Sequence, residues 1–250
     1  MSPILSQLVE GQNLTQSQSE AFFTEMIKGN VEPALLSSVL TALKIKGESP
    51  EEIAGAAIAV RNYATMFPAL PYEVADCVGT GGDGANTINI STTAAILAAA
   101  CGLKMAKHGN RSVSSMSGSA DLLEALGVNL TMSPETAANC LTQSNLCFLF
   151  APAYHPGFKH AAPVRKAMGI RTLFNILGPL VNPAKPSTML LGVYTPTLIP
   201  VLAQSLMLTG VNRAWVVHGS GLDEIALHGE TTVTEINGDS TFERTISPED

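Results

Sequence analysis

Apolar positions in the first 66 residues recur every three or four places, and from about residue 72 they gather into short unbroken runs. The first pattern predicts helices. Thr15 caps one that runs to about Lys28, with Ala21, Phe22, Met26 and Ile27 on a single stripe. A second covers 32–46, with Leu35, Leu36, Val39, Leu40 and Leu43 at helical spacing and Gly47 as its stop. "SPEE" then forms a capping box: Ser49 is the N-cap, Pro50 takes the first helical position and Glu52 reaches back. That helix runs to about Met66, where "FPALP" breaks it.

The second pattern predicts strands at 74–78, 103–106, 146–151, 189–193 and 214–217, alternating with helices at 92–101, 120–126, 135–142 and 198–208. Such alternation builds a mostly parallel sheet covered by helices, with ligands beyond the carboxyl ends of the strands. The expected fold is therefore α/β: a small all-helical domain over 1–70, then a larger α/β domain over 71–250. "RTISPED" reads as a helix start (Ser247, Pro248, Glu249) with nothing after it, as if the fold continued beyond this chain.

Composition narrows the function. Of 250 residues, 46% are hydrophobic and 14% charged, enough for a substantial core and too few charges for a disordered chain. No basic segment precedes a long apolar run at the N-terminus, and the longest apolar stretch, 94–101, is too short to span a bilayer. Cys77, Cys101, Cys140 and Cys147 stand singly, without metal-ligand spacing, as thiols of a reducing compartment do. The expectation is a cytoplasmic protein that binds neither membrane nor nucleic acid; the net charge of −7 argues against the latter. That charge is uneven: residues 1–75 carry 4 Lys/Arg and 8 Asp/Glu, residues 172–250 carry 3 and 8, and residues 104–171 reverse the balance at 7 and 3. A basic centre in an acidic chain suits a small anionic substrate, or is an incidental feature of a solvated surface.

Two loops carry candidate chemistry. In "GTGGDGANTINIST", Gly79, Gly81 and Gly82 let the backbone approach an anion, and Asn89, Ser91 and Thr92 lead into a helix N-terminus. The alternative is a plain glycine turn, and Asp83 is out of place beside phosphate unless a hydroxyl or metal intervenes. In "KHGNRSVSSMSGS", Lys107, Asn110, Ser115 and Ser119 supply donors after a strand. His108 can meet a ligand or cap a neighbour, and Arg111 can bind a ligand or form a structural ion pair.

These motifs, with "SGSADLLEALG", "FAPAYHPGFKHAAPVRKAMGIRTLFNILGPLVNP" and "VVHGSGLDEI", occur in the order found in the anthranilate phosphoribosyltransferase family, which the chain resembles over nearly its whole length. The resemblance implies transfer of the phosphoribosyl group of phosphoribosyl pyrophosphate (PRPP) to the amine of anthranilate, in tryptophan biosynthesis. It implies Mg²⁺, plausibly two ions, and a homodimer formed through the helical domain, with part of about 158–185 packed on that domain. By the same resemblance PRPP falls to Gly79, Thr80, Gly82, Asp83, Thr87, Asn89, Ser91, Thr92, Lys107 and Ser119. Anthranilate falls to Gly79, His108, Asn110, His155, Arg165 and Gly178, and the metal to Ser91, Asp223 and Glu224. Arg165 offers a planar fork for the carboxylate of anthranilate. His108 is a candidate general base, although a neutral aromatic amine needs no strong one. His155 and His160 can both be helix caps, and Arg171 reads as a structural ion-pair former. Met116 stands where the family often has a polar residue. The rival readings are a pyrimidine nucleoside phosphorylase-like enzyme, whose second loop looks different, and a non-catalytic nucleic-acid-binding relative.

Overall fold

The computed structural model describes residues 2–112 and 117–250; Ser115 and Met116 lie outside the described residues. Four helices come first: α1 (Pro3–Val9), α2 (Gln16–Lys28), α3 (Pro33–Lys46) and α4 (Pro50–Asn62). Both predicted caps form, as capping boxes of Thr15 with Gln18 and of Ser49 with Glu52. Glu52 does more than cap. Its fully buried carboxylate accepts from the N–H groups of Leu14 and Ser49 and from the Lys46 ammonium at 2.8, 2.7 and 2.9 Å, pinning three segments at one point. α4 stops at Asn62 instead of Met66, and α1, at seven residues, is too short for its apolar positions to establish a period in the sequence.

The α/β part runs β1 (Ala75–Gly79), α5 (Ile90–Ala100), β2 (Met105–Gly109), α6 (Ser119–Ala125), α7 (Pro134–Ser144), β3 (Leu146–Phe150), α8 (Ala151–Tyr154), α9 (Ala162–Met168), α10 (Phe174–Leu177), β4 (Thr188–Gly192), α11 (Ile199–Leu208), β5 (Arg213–Gly219), β6 (Thr231–Asn237) and β7 (Ser240–Ile246). Its seven-stranded sheet has the order β3-β2-β1-β4-β5-β6-β7, parallel from β3 to β5 and antiparallel beyond. Each of the five predicted strands is present, shifted by one to three residues at its ends. The β6–β7 hairpin was not foreseen. Its register pairs Asn237 with Ser240, so Gly238 and Asp239 make a two-residue turn. The final residues close a turn in which the Ser247 N–H donates to the Asp250 carboxylate at 2.8 Å, where a helix start was expected.

A single apolar core joins the helices to the sheet. Phe23, Leu40, Leu43 and Ile53 share it with Leu173, Phe174 and Leu177 of the connection before β4 and with Leu202, Leu206 and Val216. The Phe23 and Phe174 rings meet edge to face at 6.0 Å. The connection over 162–181 is thereby fixed to the helices while it passes over the sheet, which brings its side chains to the strand ends. Strand order reverses between β1 and β4, and at such a switch point a crevice opens beyond the carboxyl ends.

Candidate active site

The crevice is built from three strand ends and one crossing segment. β1, β4 and β5 each finish on glycine (Gly79, Gly192, Gly219), and the chain from Asp223 to Ala226 lies directly across them. A Cβ on Gly192 would fall on the backbone of Asp223, so only hydrogen fits there, and one on Gly79 would strike the Asp223 carboxylate, which would have to move aside. This close crossing carries Asp223 and Glu224 over the β1 end. There the Asp223 carboxylate accepts from the Gly81 N–H at 2.7 Å, and Glu224 accepts from the Ser91 N–H in the first turn of α5 at 3.1 Å. Asp83 accepts from the Asp223 N–H at 3.4 Å. Burial pushes the Asp223 carboxyl above its ordinary value, with the Asp83 charge adding to the effect. Burial, then the Asp223 charge, pushes Glu224 up to about 7.

This pair has the chemistry of a hard cation site. Two carboxylates held together and partly desolvated repel each other, and a divalent cation relieves both penalties. Among the described residues no three His, Cys, Asp or Glu side chains form a ready metal cage. The two carboxylates fit Mg²⁺, which is held by one or two carboxylates while substrate phosphates and waters complete its shell.

Around this pair the glycine loop and the second loop interlock. Asn89 donates to the Ser117 carbonyl at 3.0 Å, and the Thr92 hydroxyl meets that of Ser119 at 3.0 Å, which brings Asn89, Thr92 and Ser119 together. Thr80 bonds back to the sheet through its N–H on the Gly192 carbonyl at 2.9 Å. Thr87 is exposed on the loop. Lys107 is placed differently from a freely reaching point charge: it is 2% exposed, and its ammonium donates to the Cys77 carbonyl at 2.6 Å.

A cluster of aromatic rings occupies the side toward the helices. His108 stands edge-on to His155 at 5.1 Å, His155 to Phe158 at 5.8 Å, and Phe158 to Phe174 at 5.7 Å. The guanidinium of Arg165 lies over the Phe174 ring at 5.2 Å. His108 Nδ1 is 3.2 Å from the Gly178 carbonyl, which can only accept, so Nδ1 carries the proton and Nε2 keeps its lone pair. Among the described residues that Nε2 has no hydrogen-bond partner, and neither nitrogen of the buried His155 ring makes a hydrogen bond of good geometry. Asn110 sits exposed beyond the end of β2, its side-chain carbonyl accepting from the Arg111 N–H at 2.7 Å.

Burial lowers the His108 pKa to about 3 and that of His155 to about 4, from 6.5 for a free imidazole. Both rings are neutral at pH 7, and His108 is a poor proton acceptor there. The sign for stability follows. The unfolded rings take up protons below about pH 6.5 and the folded ones do not, so their contribution is full above that pH and is lost as pH falls toward 4. At about 1.4 kcal/mol per pH unit and ring, each removes about 3 kcal/mol by pH 4. Thermal melts between pH 7.5 and 4.5 are expected to show a drop that His155→Gln reduces; an unchanged slope in that variant would mean the ring is not held neutral.

Other residues resolve differently from their first reading. Arg111 takes the structural alternative, bridging Asp121 at 3.0 Å and Glu124 at 2.7 Å. Arg171 has no acid within ion-pairing distance among the described residues; it donates to the Gly82 carbonyl and lies on the Tyr194 ring at 4.5 Å. The His155 backbone N–H closes α8 on the Ala151 carbonyl, while its ring joins the aromatic cluster. The His160 ring rests against Gly29, the residue that ends α2. Sequence reasoning passed over Asp76 and Asn182. Both are buried, and Asn182 donates at 2.8 Å to the Asp76 carboxylate and to the Ala106 carbonyl, which fastens the "GPLVNP" block to the sheet. An acid placed mid-strand, and an asparagine in a block already quoted, were the available signals.

Two family models match, the helical bundle domain of a glycosyl transferase family over residues 2–64 and its a/b domain over 71–250. The chain is 75% identical to an anthranilate phosphoribosyltransferase of Colwellia psychrerythraea, over 100% of this chain and 69% of that protein. It is 56% identical to one of Vibrio cholerae, over 100% and 75%. Among solved structures, the anthranilate phosphoribosyltransferase of Thermus thermophilus superposes with a TM-score of 0.92 at 42% identity, over 98% of this chain and 73% of that one. The Saccharomyces cerevisiae enzyme in complex with PRPP and Mg gives 0.86 at 34% identity, over 96% and 71%. The same enzyme in complex with 4-fluoroanthranilate gives 0.85 at 32%, over 98% and 71%.

Proposed function

The chain belongs to the anthranilate phosphoribosyltransferases, which transfer the 5-phosphoribosyl group of PRPP to the amine of anthranilate in tryptophan biosynthesis, and from that premise we propose how its own residues divide the work. The membership decides against the nucleoside phosphorylase and the non-catalytic readings. The backbone N–H groups of the glycine loop and the N-terminus of α5 hold the phosphates of PRPP, with Thr80, Asn89, Ser91, Thr92 and Ser119 as hydroxyl and amide partners. Gly79 leaves room at the strand end, and Asp83 faces the ribose hydroxyls or the metal shell. Thr87, exposed on the same loop, is also assigned to PRPP. Lys107 acts from beneath the loop, its buried charge focusing the positive field on the same anion.

Asp223 and Glu224, with the Ser91 hydroxyl, hold Mg²⁺, and two ions are in keeping with two carboxylates facing a diphosphate. When bound, the metal neutralises charge that accumulates on the leaving pyrophosphate. The S. cerevisiae relative in complex with PRPP and Mg supports the use of Mg²⁺.

The acceptor binds at the aromatic cluster. Arg165 clamps its carboxylate, His108 and His155 line the ring, and Gly178 and Asn110 border the site toward Gly79. An aryl amine is neutral at pH 7, so what it needs is placement against the anomeric carbon as the bond to pyrophosphate breaks. Positioning therefore carries this half of the reaction. The observation that carries the reading is the acidic pair itself, Asp223 and Glu224 held by the Gly81 and Ser91 N–H groups over the glycine-loop end of β1 at the β1–β4 switch point.

The helical face is proposed to pair with a second copy of the chain, since Val9 and Ile45 stand 73% and 82% exposed there. Among the described residues no helix is long and apolar enough to cross a membrane. With four free thiols, the cytoplasm is the proposed location.

The acceptor assignment is tested by Arg165→Ala. The expected result is a KM for anthranilate raised by about tenfold or more with the KM for PRPP within about twofold, as loss of a charge-assisted clamp predicts. Equal effects on both constants would remove Arg165 from the acceptor site.

A further inference from the structure

Arg171 joins the two halves of the site. It precedes Thr172, whose N–H donates to the Asn175 side chain at 2.9 Å, and then Leu173 and Phe174, both buried in the core against the helices. Its base is therefore anchored on the acceptor side. Its head lies on the donor side. The guanidinium plane rests 4.5 Å from the centroid of the Tyr194 ring, and Nη2 donates to the Gly82 carbonyl. Gly82 has φ +82°, and a Cβ there would stand 2.9 Å from Nη2, so loop and arginine touch with no room for a side chain between them.

Tyr194 belongs to the same arrangement. Its backbone N–H donates to the Thr80 hydroxyl at 3.1 Å, so the 192–194 turn holds the loop at Thr80 while Arg171 holds it at Gly82. A guanidinium can serve ring and carbonyl at once, its face to the ring and its edge to the oxygen; an ammonium has no such plane. Among the described residues no acid competes for it.

We propose that Arg171 is a positioning residue for the donor loop: anchored in the acceptor segment and braced on Tyr194, it fixes Gly82 so that the loop N–H groups face the diphosphate. The inference rests on the transferase reading and assigns Arg171 no contact with either substrate.

The test is calorimetric titration of PRPP with Mg²⁺, in the absence of anthranilate, into the unsubstituted chain and its Arg171→Ala, Arg171→Lys and Tyr194→Leu variants, together with both KM values. Arg171→Ala is expected to weaken PRPP binding and raise its KM about tenfold while the KM for anthranilate stays within about twofold. Arg171→Lys should recover only part of that loss, and Tyr194→Leu should move PRPP binding in the same direction. The proposal is overturned if PRPP binding by Arg171→Ala stays within twofold, if both KM values rise equally, or if lysine restores full affinity, which would reduce the role to charge alone. Failure of the transferase reading looks different: the unsubstituted chain itself would neither bind PRPP nor consume anthranilate.

Discussion

Replacing the acidic pair, Asp223→Asn together with Glu224→Gln, is expected to lower kcat/KM by about 10³-fold or more. Removal of a single preorganised electrostatic group from an active site costs about 10²–10³, and this substitution removes both charges proposed to hold the metal at the leaving pyrophosphate. The fold should survive. The amide oxygens can still accept from the Gly81 and Ser91 N–H groups that the carboxylates now engage. Burial already disfavours both charges, so the melting temperature without metal should stay level or rise. That contrast identifies the pair as functional: a structural ion-pair residue would lose stability along with activity. Steady-state kinetics over a Mg²⁺ series, beside thermal melts in EDTA, make the comparison. Activity within tenfold of the parent at any Mg²⁺ concentration would remove the pair from the reaction.

Gly192→Ala has the second largest expected effect, although it adds one methyl group far from any titratable atom of its own. The new Cβ would coincide with the backbone of Asp223, which has no flexible end to swing aside. The crossing segment must lift off the sheet, taking the carboxylates with it. Overpacking of this kind costs about 1–3 kcal/mol or more, so a fall in melting temperature of several degrees and a loss of activity of about 100-fold should appear together. Gly79→Ala makes the instructive comparison. There the methyl meets the Asp223 carboxylate, a side chain able to rotate, so the stability loss should be smaller while activity still falls. Equal melting temperatures for Gly192→Ala and the parent would mean that the segment does not cross where the structure places it.

Local signals in the sequence were reliable where one residue type has one physical use. Ser49, Pro50 and Glu52 can hardly be anything but a helix start, and they are one. The switch from a period near 3.6 to short apolar runs located five strands because a parallel sheet buries both faces. The β6–β7 hairpin was missed although "TTVTEINGDSTFERT" alternates and contains Gly-Asp, a two-residue hairpin turn signal. Its outer strand is exposed throughout, so it lacks the apolar run that marked the others.

The site was legible as a list of residues and much less as an arrangement. Arg111 and Arg171 each stand two residues after a glycine, yet one pairs with Asp121 and Glu124 while the other stacks on Tyr194 and reaches Gly82. Nothing local separates them, because the difference lies in which distant segment the fold brings alongside. Lys107 shows the same limit. Its position after a strand suggested a reaching cation, while strand alternation points it inward onto the Cys77 carbonyl. Gly192 carries no signal of its own, since its meaning comes from a chain segment some thirty residues later.

The central claim is that this chain joins anthranilate to the phosphoribosyl group at the junction of the glycine loop, the acidic pair and the aromatic cluster. The measurement that tests it most directly follows anthranilate fluorescence after the 250-residue chain is mixed with PRPP and Mg²⁺, beside an EDTA control. The account predicts a loss of signal that requires both PRPP and Mg²⁺ and is abolished by EDTA. Fluorescence that stays constant with both present, in a preparation shown by its melting curve to be folded, would contradict it.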